Sequence, residues 1–143
     1  MARLARVVVA EDDCDPGRLM RATLKMHGFD AWLEQDPEGC LGTVEKLGRD
    51  VDVVVINGRM ASDRNAMLII KIKRANKHIL VLVVAERNQA EVKTRVMDYG
   101  ADEFVLKPIS ADTFAAKVQA LIIEGRPVTT TMAPSSSSPD QRA

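Results

Sequence analysis

The sequence predicts an α/β fold in which short parallel strands alternate with helices that cover both faces of one sheet. Three runs rich in Val and Ile are short and nearly continuous, which is typical of strands buried on both faces. Helical patterns with start and stop signals separate these runs. The order of strand then helix occurs five times along the chain. Such alternation favours parallel strands joined by right-handed crossovers.

Five strands are predicted, of which the first, third and fourth along the chain have the strongest signals. These three are β-branched at most positions, so we expect both of their faces to be covered. The other two are weaker because each of them carries a glutamate in a four-residue run. In chain order the predicted strands are residues 7–10, 31–34, 51–56, 79–84 and 103–106.

Each predicted helix begins at a polar capping residue. Asp15 before Pro16 and Asp36 before Pro37 are typical helix starts, because proline fits the first helical position. Apolar residues three or four positions apart then continue each helix. Gly28 and Gly100 mark the ends of the first and fourth helices. The predicted caps are Asp15, Asp36, Ser62 or Asp63, Asn88 and Ser110.

The composition indicates one aliphatic domain. The chain has 143 residues, of which 46% are hydrophobic and only 3% aromatic. Twenty basic and 20 acidic residues cancel, which argues against binding to nucleic acid or to an anionic membrane by bulk charge. No apolar run approaches the roughly 20 residues that span a bilayer. Cys14 and Cys40 have no zinc-binding spacing and form no disulfide framework, so we expect a cytoplasmic location.

The domain is expected to cover residues 1–124. Residues 125–143 are rich in Ser, Thr and Pro and carry few apolar side chains. Such a segment buries too little apolar surface to offset the entropy of ordering, so we predict a disordered tail.

Acidic, amide and basic side chains follow separate predicted strands. Glu11 and Asp12 follow the first strand, Asn57 the third, and Lys107 the fifth. The carboxyl ends of parallel strands meet at one edge of a sheet, where ligands collect. Clustered carboxylates repel one another unless a cation lies between them. Mg²⁺ could serve, as could a protein cation such as Lys107 or Arg59.

These residues resemble the receiver domain of two-component response regulators over residues 4–124. The resemblance depends on Glu11-Asp12, on the strand that leads to Asn57, on residues 99–101 (Tyr-Gly-Ala), and on residues 104–108 (Phe-Val-Leu-Lys-Pro). It implies a flavodoxin-like fold with strand order 2-1-3-4-5. It also implies a domain that accepts a phosphoryl group from a histidine kinase on an aspartate at the end of the third strand.

The resemblance assigns roles to five positions that match the family pattern. Glu11 and Asp12 correspond to the acidic pair that binds Mg²⁺, and Lys107 to the lysine that contacts the phosphoryl group. Pro108 corresponds to the proline that follows a cis peptide bond. Phe104 corresponds to the aromatic switch position on the fifth strand.

Four other positions depart from that pattern, two of them in the predicted site and two in the following loop. The acceptor position is Asn57, whose carboxamide is not the nucleophile that an ionised carboxylate is. The switch position after the fourth strand is Ala85, which has no hydroxyl for a phosphoryl oxygen. The following loop also has Ala61 and Asn65 where the family usually has Pro and Gly. We therefore predict a receiver scaffold without phosphorylation chemistry.

Arg59 has two interpretations. It is either an exposed loop cation or an internal counter-ion that lies across Glu11 and Asp12. We expect no cofactor or only weakly bound Mg²⁺, because one of three carboxylates is missing and charge count largely sets the affinity for a hard cation.

The predicted function is that of an atypical receiver, or pseudo-receiver: a signalling module and not an enzyme. By resemblance its partner surface is the fourth helix, fifth strand and fifth helix. A histidine kinase is a candidate contact without phosphotransfer, and no nucleic-acid or membrane partner is expected. The candidate exposed contacts are Glu91, Lys93, Arg95, Glu103 and Lys117.

Two alternatives stay open. The first is a conventional phosphoacceptor receiver in which the acceptor aspartate was changed to Asn57. Ala85 counts against this alternative, because a single change at residue 57 would not explain why residue 85 also departs from the family pattern. The second is a small flavodoxin-like enzyme or nucleotide binder. No glycine-rich loop follows the first strand, where residues 11–13 are acidic and would repel phosphate.

Overall fold

Five parallel strands form one sheet in the order β2-β1-β3-β4-β5. The computed structural model describes residues 3–125. The predicted α/β class, the parallel pairing and the strand order are confirmed. The strands are β1 (Arg6–Ala10), β2 (Asp30–Glu34), β3 (Val53–Asn57), β4 (Leu80–Ala85) and β5 (Glu103–Leu106).

Helices lie on both faces of this sheet. Buried side chains of α2, α4 and α5 pack with one set of strand residues, and those of α1 and α6 pack with the other set. Short 3-10 turns occur at Gly48–Asp50 and Arg87–Val92. The helices are α1 (Cys14–Met26), α2 (Pro37–Leu47), α3 (Gly58–Ser62), α4 (Leu68–Ala75), α5 (Lys93–Tyr99) and α6 (Ala111–Gly125).

The core is aliphatic on both sides of the sheet. Val7 and Val9 of β1 are fully buried against the α1 and α6 side, whereas Val8 and Ala10 are buried against the α2, α4 and α5 side. Successive strand residues point to opposite faces, so a strand buried on both faces needs apolar residues without interruption. This requirement explains the continuous runs in the sequence.

Two of the predicted helix starts are confirmed by their capping hydrogen bonds. The Asp36 carboxylate accepts from the Gly39 amide at 2.6 Å, with Pro37 as the first residue of α2. The Ser110 hydroxyl accepts from the Thr113 amide at 3.1 Å, directly before α6.

The predicted start of the first helix is wrong by two residues. α1 begins at Cys14 with Asp13 as its cap, so Asp15 and Pro16 lie inside its first turn. Proline is tolerated there because the first four amide groups of a helix have no carbonyl partner within it.

The predicted third helix begins later than predicted, and a short helix that was not predicted precedes it. Ser62 ends the one-turn α3 instead of starting a helix. Asp63 accepts hydrogen bonds from the Asn65 and Ala66 amides in a turn. Met67 then adopts a left-handed conformation with φ of 50°, and α4 begins at the next residue.

The predicted cap of the fourth helix is also wrong. Glu86, not Asn88, starts the Arg87–Val92 turn, and its backbone N–H donates to the Gln89 side chain at 3.0 Å. The regular helix α5 begins only at Lys93 and ends at Tyr99, with Gly100 as its predicted stop at a φ of 116°.

The predicted tail lies outside the described residues except for Gly125, which is the last residue of α6.

Within residues 3–125, no helix combines the length and the apolar character that crossing a membrane requires.

Candidate functional site

The predicted site residues meet at the carboxyl edge of the sheet. Glu11 directly follows β1, Asn57 is the last residue of β3, and Ala85 is the last residue of β4. Lys107 directly follows β5, and its amide donates to the Ala85 carbonyl at 2.8 Å. Parallel strands in register therefore place these residues side by side.

Asn57 lies between the two acidic residues. Its Nδ2 donates to Glu11 Oε2 at 2.9 Å and to Asp12 Oδ1 at 2.7 Å. Its Oδ1 accepts from the Met60 amide at 2.8 Å and so caps α3. Both ends of the carboxamide are engaged, because an amide offers donors on one side and an acceptor on the other.

Glu11 is a buried carboxylate, with only 4% of its surface exposed. Its Oε2 also accepts from the Asp13 amide at 3.0 Å. A buried charge is tolerated only where hydrogen bonds and opposite charges replace water. The Asn57 amide, the Asp13 amide and Lys107 together provide these at Glu11.

Lys107 is shared between two carboxylates. Its Nζ lies 3.0 Å from Glu86 Oε2 and 3.9 Å from Glu11 Oε1. Glu86 directly follows Ala85 and was expected at the same edge, but no role in the site was predicted for it. That position was the signal that could have identified it.

Asp12 interacts with Asn57 and with the guanidinium of Arg59, which contacts Asp12 Oδ2. Partial burial raises the pKa of the Asp12 carboxyl, but the Asn57 hydrogen bond and the Arg59 charge outweigh it and hold that pKa below its usual value. A lowered folded-state pKa adds stability above the unfolded pKa. This contribution is lost as the pH falls through the folded-state value.

The two predicted switch positions, Ala85 and Phe104, have different surroundings. Ala85 is fully buried against Gly58, where an added Cβ would lie 2.8 Å from the Ala85 Cβ and 2.6 Å from Gln89 Oε1. Phe104 on β5 is half-buried and packs with the α2, α4 and α5 side of the core. The peptide bond between Lys107 and Pro108 is cis.

The acidic residues do not fit a hard divalent cation as they are arranged. Mg²⁺ takes oxygen ligands, whereas Glu11 and Asp12 both accept from the nitrogen side of Asn57. Within the described part of the chain, no group of three His, Cys, Asp or Glu residues is disposed to hold a metal ion.

A protein-family model and several curated proteins are similar to this chain in sequence. Residues 7–119 match the family model described as the response regulator receiver domain. Among curated proteins, the chain is 26% identical over 125 residues to the transcriptional regulatory protein AruR of Pseudomonas aeruginosa, covering 85% of this chain and 51% of that protein. It is 22% identical over 119 residues to the response regulator ArlR of Staphylococcus saprophyticus, covering 83% and 53%. The chain thus spans about half the length of these relatives.

Solved structures share the fold at low sequence identity. A receiver domain protein from Clostridium thermocellum superposes with a TM-score of 0.76 at 20% identity, covering 85% of this chain and 96% of that one. Full-length FixJ from B. japonicum gives a TM-score of 0.76 at 21% identity, covering 88% and 61%. At these identities the similarity establishes the fold and not the chemistry.

Proposed function

Because the chain belongs to the response regulator receiver family, we propose that it is an atypical receiver that signals through protein contacts and not through a phosphorylated aspartate. The observation that carries the proposal is the orientation of Asn57. Its amide nitrogen faces Glu11 and Asp12, so the acceptor position holds a hydrogen-bond donor instead of a nucleophilic oxygen.

The chemistry of the neighbouring residues supports this proposal. A carboxamide oxygen is a weak nucleophile, and that of Asn57 already accepts from the Met60 amide. Ala85, at the end of β4, offers no hydroxyl to a phosphoryl oxygen. The departures from a working phosphoacceptor therefore involve residue 85 as well as the acceptor itself. They count against a conventional receiver changed only at residue 57.

The proposed partner surface consists of α5, β5 and α6, which correspond to the predicted fourth helix, fifth strand and fifth helix. Of the predicted exposed contacts, Glu91 and Lys93 are exposed, whereas Arg95, Glu103 and Lys117 are half-buried. Lys117 and Glu103 form an ion pair at 3.1 Å, so they are less available to a partner than predicted. The surface also has apolar character, because Met97 and Leu106 are 37% and 38% exposed.

We further propose a cytoplasmic, non-enzymatic module with weak or no Mg²⁺ binding. Weak binding follows from the missing third carboxylate at residue 57. Its two cysteines are free thiols, which is consistent with a reducing compartment such as the cytoplasm. A histidine kinase could contact this module without transferring a phosphoryl group to it.

Phosphorylation by a small phosphodonor tests the proposal. The protein is incubated with acetyl phosphate and Mg²⁺, and its intact mass is measured. We expect no gain of a phosphoryl group in the unmodified chain and a partial gain in Asn57→Asp. Asn65→Asp is the matched control, because it creates an aspartate in the exposed loop of the same region. Phosphorylation of the unmodified chain at the pocket would refute the proposed function.

A further inference from the structure

We infer that Arg59 is a built-in cation that takes the place of a divalent ion at the acidic pair, so that the pocket is neutralised by the chain itself. The inference rests on the proposed function and concerns the same site. It explains how Glu11 and Asp12 remain close together in a receiver in which residue 57 is an amide.

All four oxygens of the acidic pair face protein groups. Asp12 Oδ1 accepts from Asn57, and Asp12 Oδ2 contacts the Arg59 guanidinium. Glu11 Oε2 accepts from Asn57 and from the Asp13 amide, and Glu11 Oε1 lies 3.9 Å from Lys107. A metal ion that approached the pair would therefore compete with these groups for the carboxylate oxygens.

The local fold explains why Arg59 reaches the pocket. Asn57 caps α3, so the chain turns into a helix directly at the end of β3. Arg59 is the second residue of that helix and therefore lies beside the acidic pair. Its side chain is 70% exposed, so the ion pair with Asp12 lies at the surface of the protein.

The charges of the pocket nearly balance. Glu11, Asp12 and Glu86 are acidic, and Arg59 and Lys107 neutralise two of the three charges. A guanidinium is always protonated, so this cation does not depend on the supply of metal. The Asp12 carboxylate is the partner that titrates, so the ion pair is present wherever Asp12 is ionised.

The expected effect is modest because the Arg59 pair is exposed. Exposed ion pairs are weak and are screened by salt. Removing the guanidinium should therefore raise the affinity for Mg²⁺ about threefold to fivefold at low ionic strength. The gain should shrink in high salt, where the pair contributes little in the unmodified protein.

The test is a Mg²⁺ titration of the full chain followed by the amide shifts of Asp12 and Asn57. The initial slope of shift against concentration is compared between Arg59→Gln and Arg64→Gln. Arg64 is an exposed arginine five positions further along the same stretch, so its replacement makes the same change in net charge. We expect the slope to rise in Arg59→Gln and to stay near the unmodified value in Arg64→Gln.

Two outcomes would overturn the inference. One is a slope in Arg59→Gln equal to that of the unmodified protein, and the other is an equal rise in both variants, which would indicate net charge alone. Neither outcome bears on the proposed function, which the phosphorylation experiment tests separately. Conversely, phosphorylation of the unmodified chain would refute that function while leaving the Mg²⁺ comparison interpretable.

Discussion

At the residue scale, one amide group reverses the electrostatics of the pocket. A carboxylate at residue 57 would be a third negative group within hydrogen-bonding distance of Glu11 and Asp12. Like charges this close do not all ionise without a cation. The Asn57 amide instead donates to both neighbours, so the acidic pair is stable without a ligand.

This reasoning predicts that Asn57→Asp destabilises the protein when divalent ions are removed. The change replaces two donated hydrogen bonds by carboxylate repulsion, which we expect to cost about 1–3 kcal/mol. The free energy of unfolding is measured by urea denaturation at pH 7 with a chelator and again with excess Mg²⁺.

Added Mg²⁺ should restore most of the loss in Asn57→Asp, because it binds the folded state of that variant more tightly. It should change the unmodified protein little. Equal stability of the two proteins in the chelator would show that the amide contributes nothing to holding the acidic pair.

The sequence predicted which residues share this site better than it predicted their contacts. Glu11, Asn57 and Lys107 could be placed together because each follows a strand, and strand ends meet at one edge. The two interpretations of Arg59 could not be separated from the sequence, because its contact depends on the short helix α3. Glu86 was missed as a partner of Lys107 because its side chain could have pointed to solvent.

At the scale of the elements, the strands were easier to predict than the helix starts. A strand buried on both faces leaves a continuous apolar run, which little else in a small domain produces. Helix starts are less certain because several polar residues near one another can each act as a cap. Asp13 and Glu86 cap where Asp15 and Asn88 were predicted.

Gly58 lies at the site where α3 packs closely against β4. An added Cβ would lie 2.8 Å from the Ala85 Cβ and 2.6 Å from Gln89 Oε1. The Gln89 side chain can move, but Ala85 is in a fully buried strand. The close approach of α3 to β4 therefore requires glycine at this position.

We accordingly expect Gly58→Ala to destabilise the fold by about 1–3 kcal/mol through overpacking. Gly42→Ala is the matched control, because Gly42 lies exposed within α2 and an added Cβ meets nothing within 4 Å. Alanine is the better helix former, so this variant should gain roughly 0.5–1 kcal/mol. Chemical denaturation measures the free energy of unfolding of both variants, which should fall in Gly58→Ala and rise in Gly42→Ala. An unchanged value in Gly58→Ala would show that glycine is not required at this position.

At the scale of the whole molecule, the pocket and the proposed partner surface are connected through the α2, α4 and α5 side of the core. Val92, Val96 and Phe104 all belong to the cluster of side chains that packs there. A ligand in the pocket shifts this region only if it contacts two conformations differently. We expect from the family resemblance that residue 85 would have to make that difference, and the methyl group of Ala85 has no hydrogen bond to offer.

This argument predicts that restoring the acceptor will not restore the switch. Beryllofluoride with Mg²⁺ should bind Asn57→Asp and change amide shifts only near residue 57 and Lys107. Adding Ala85→Ser introduces a hydroxyl with a single extra heavy atom, so at this fully buried position it adds less volume than a larger residue would. The double variant should therefore extend the shifts to Val96 and Phe104.

The outcome depends on comparing the two variants under identical ligand saturation. A ligand without differential affinity for two states cannot change their populations, however tightly it binds. Distant shifts in the double variant alone would therefore assign the coupling to the hydroxyl at residue 85. Distant shifts already present in Asn57→Asp would mean that another group couples the pocket to α5. The exposed pair of Glu86 and Lys107 would then be the next contact to break, because it joins the ends of β4 and β5.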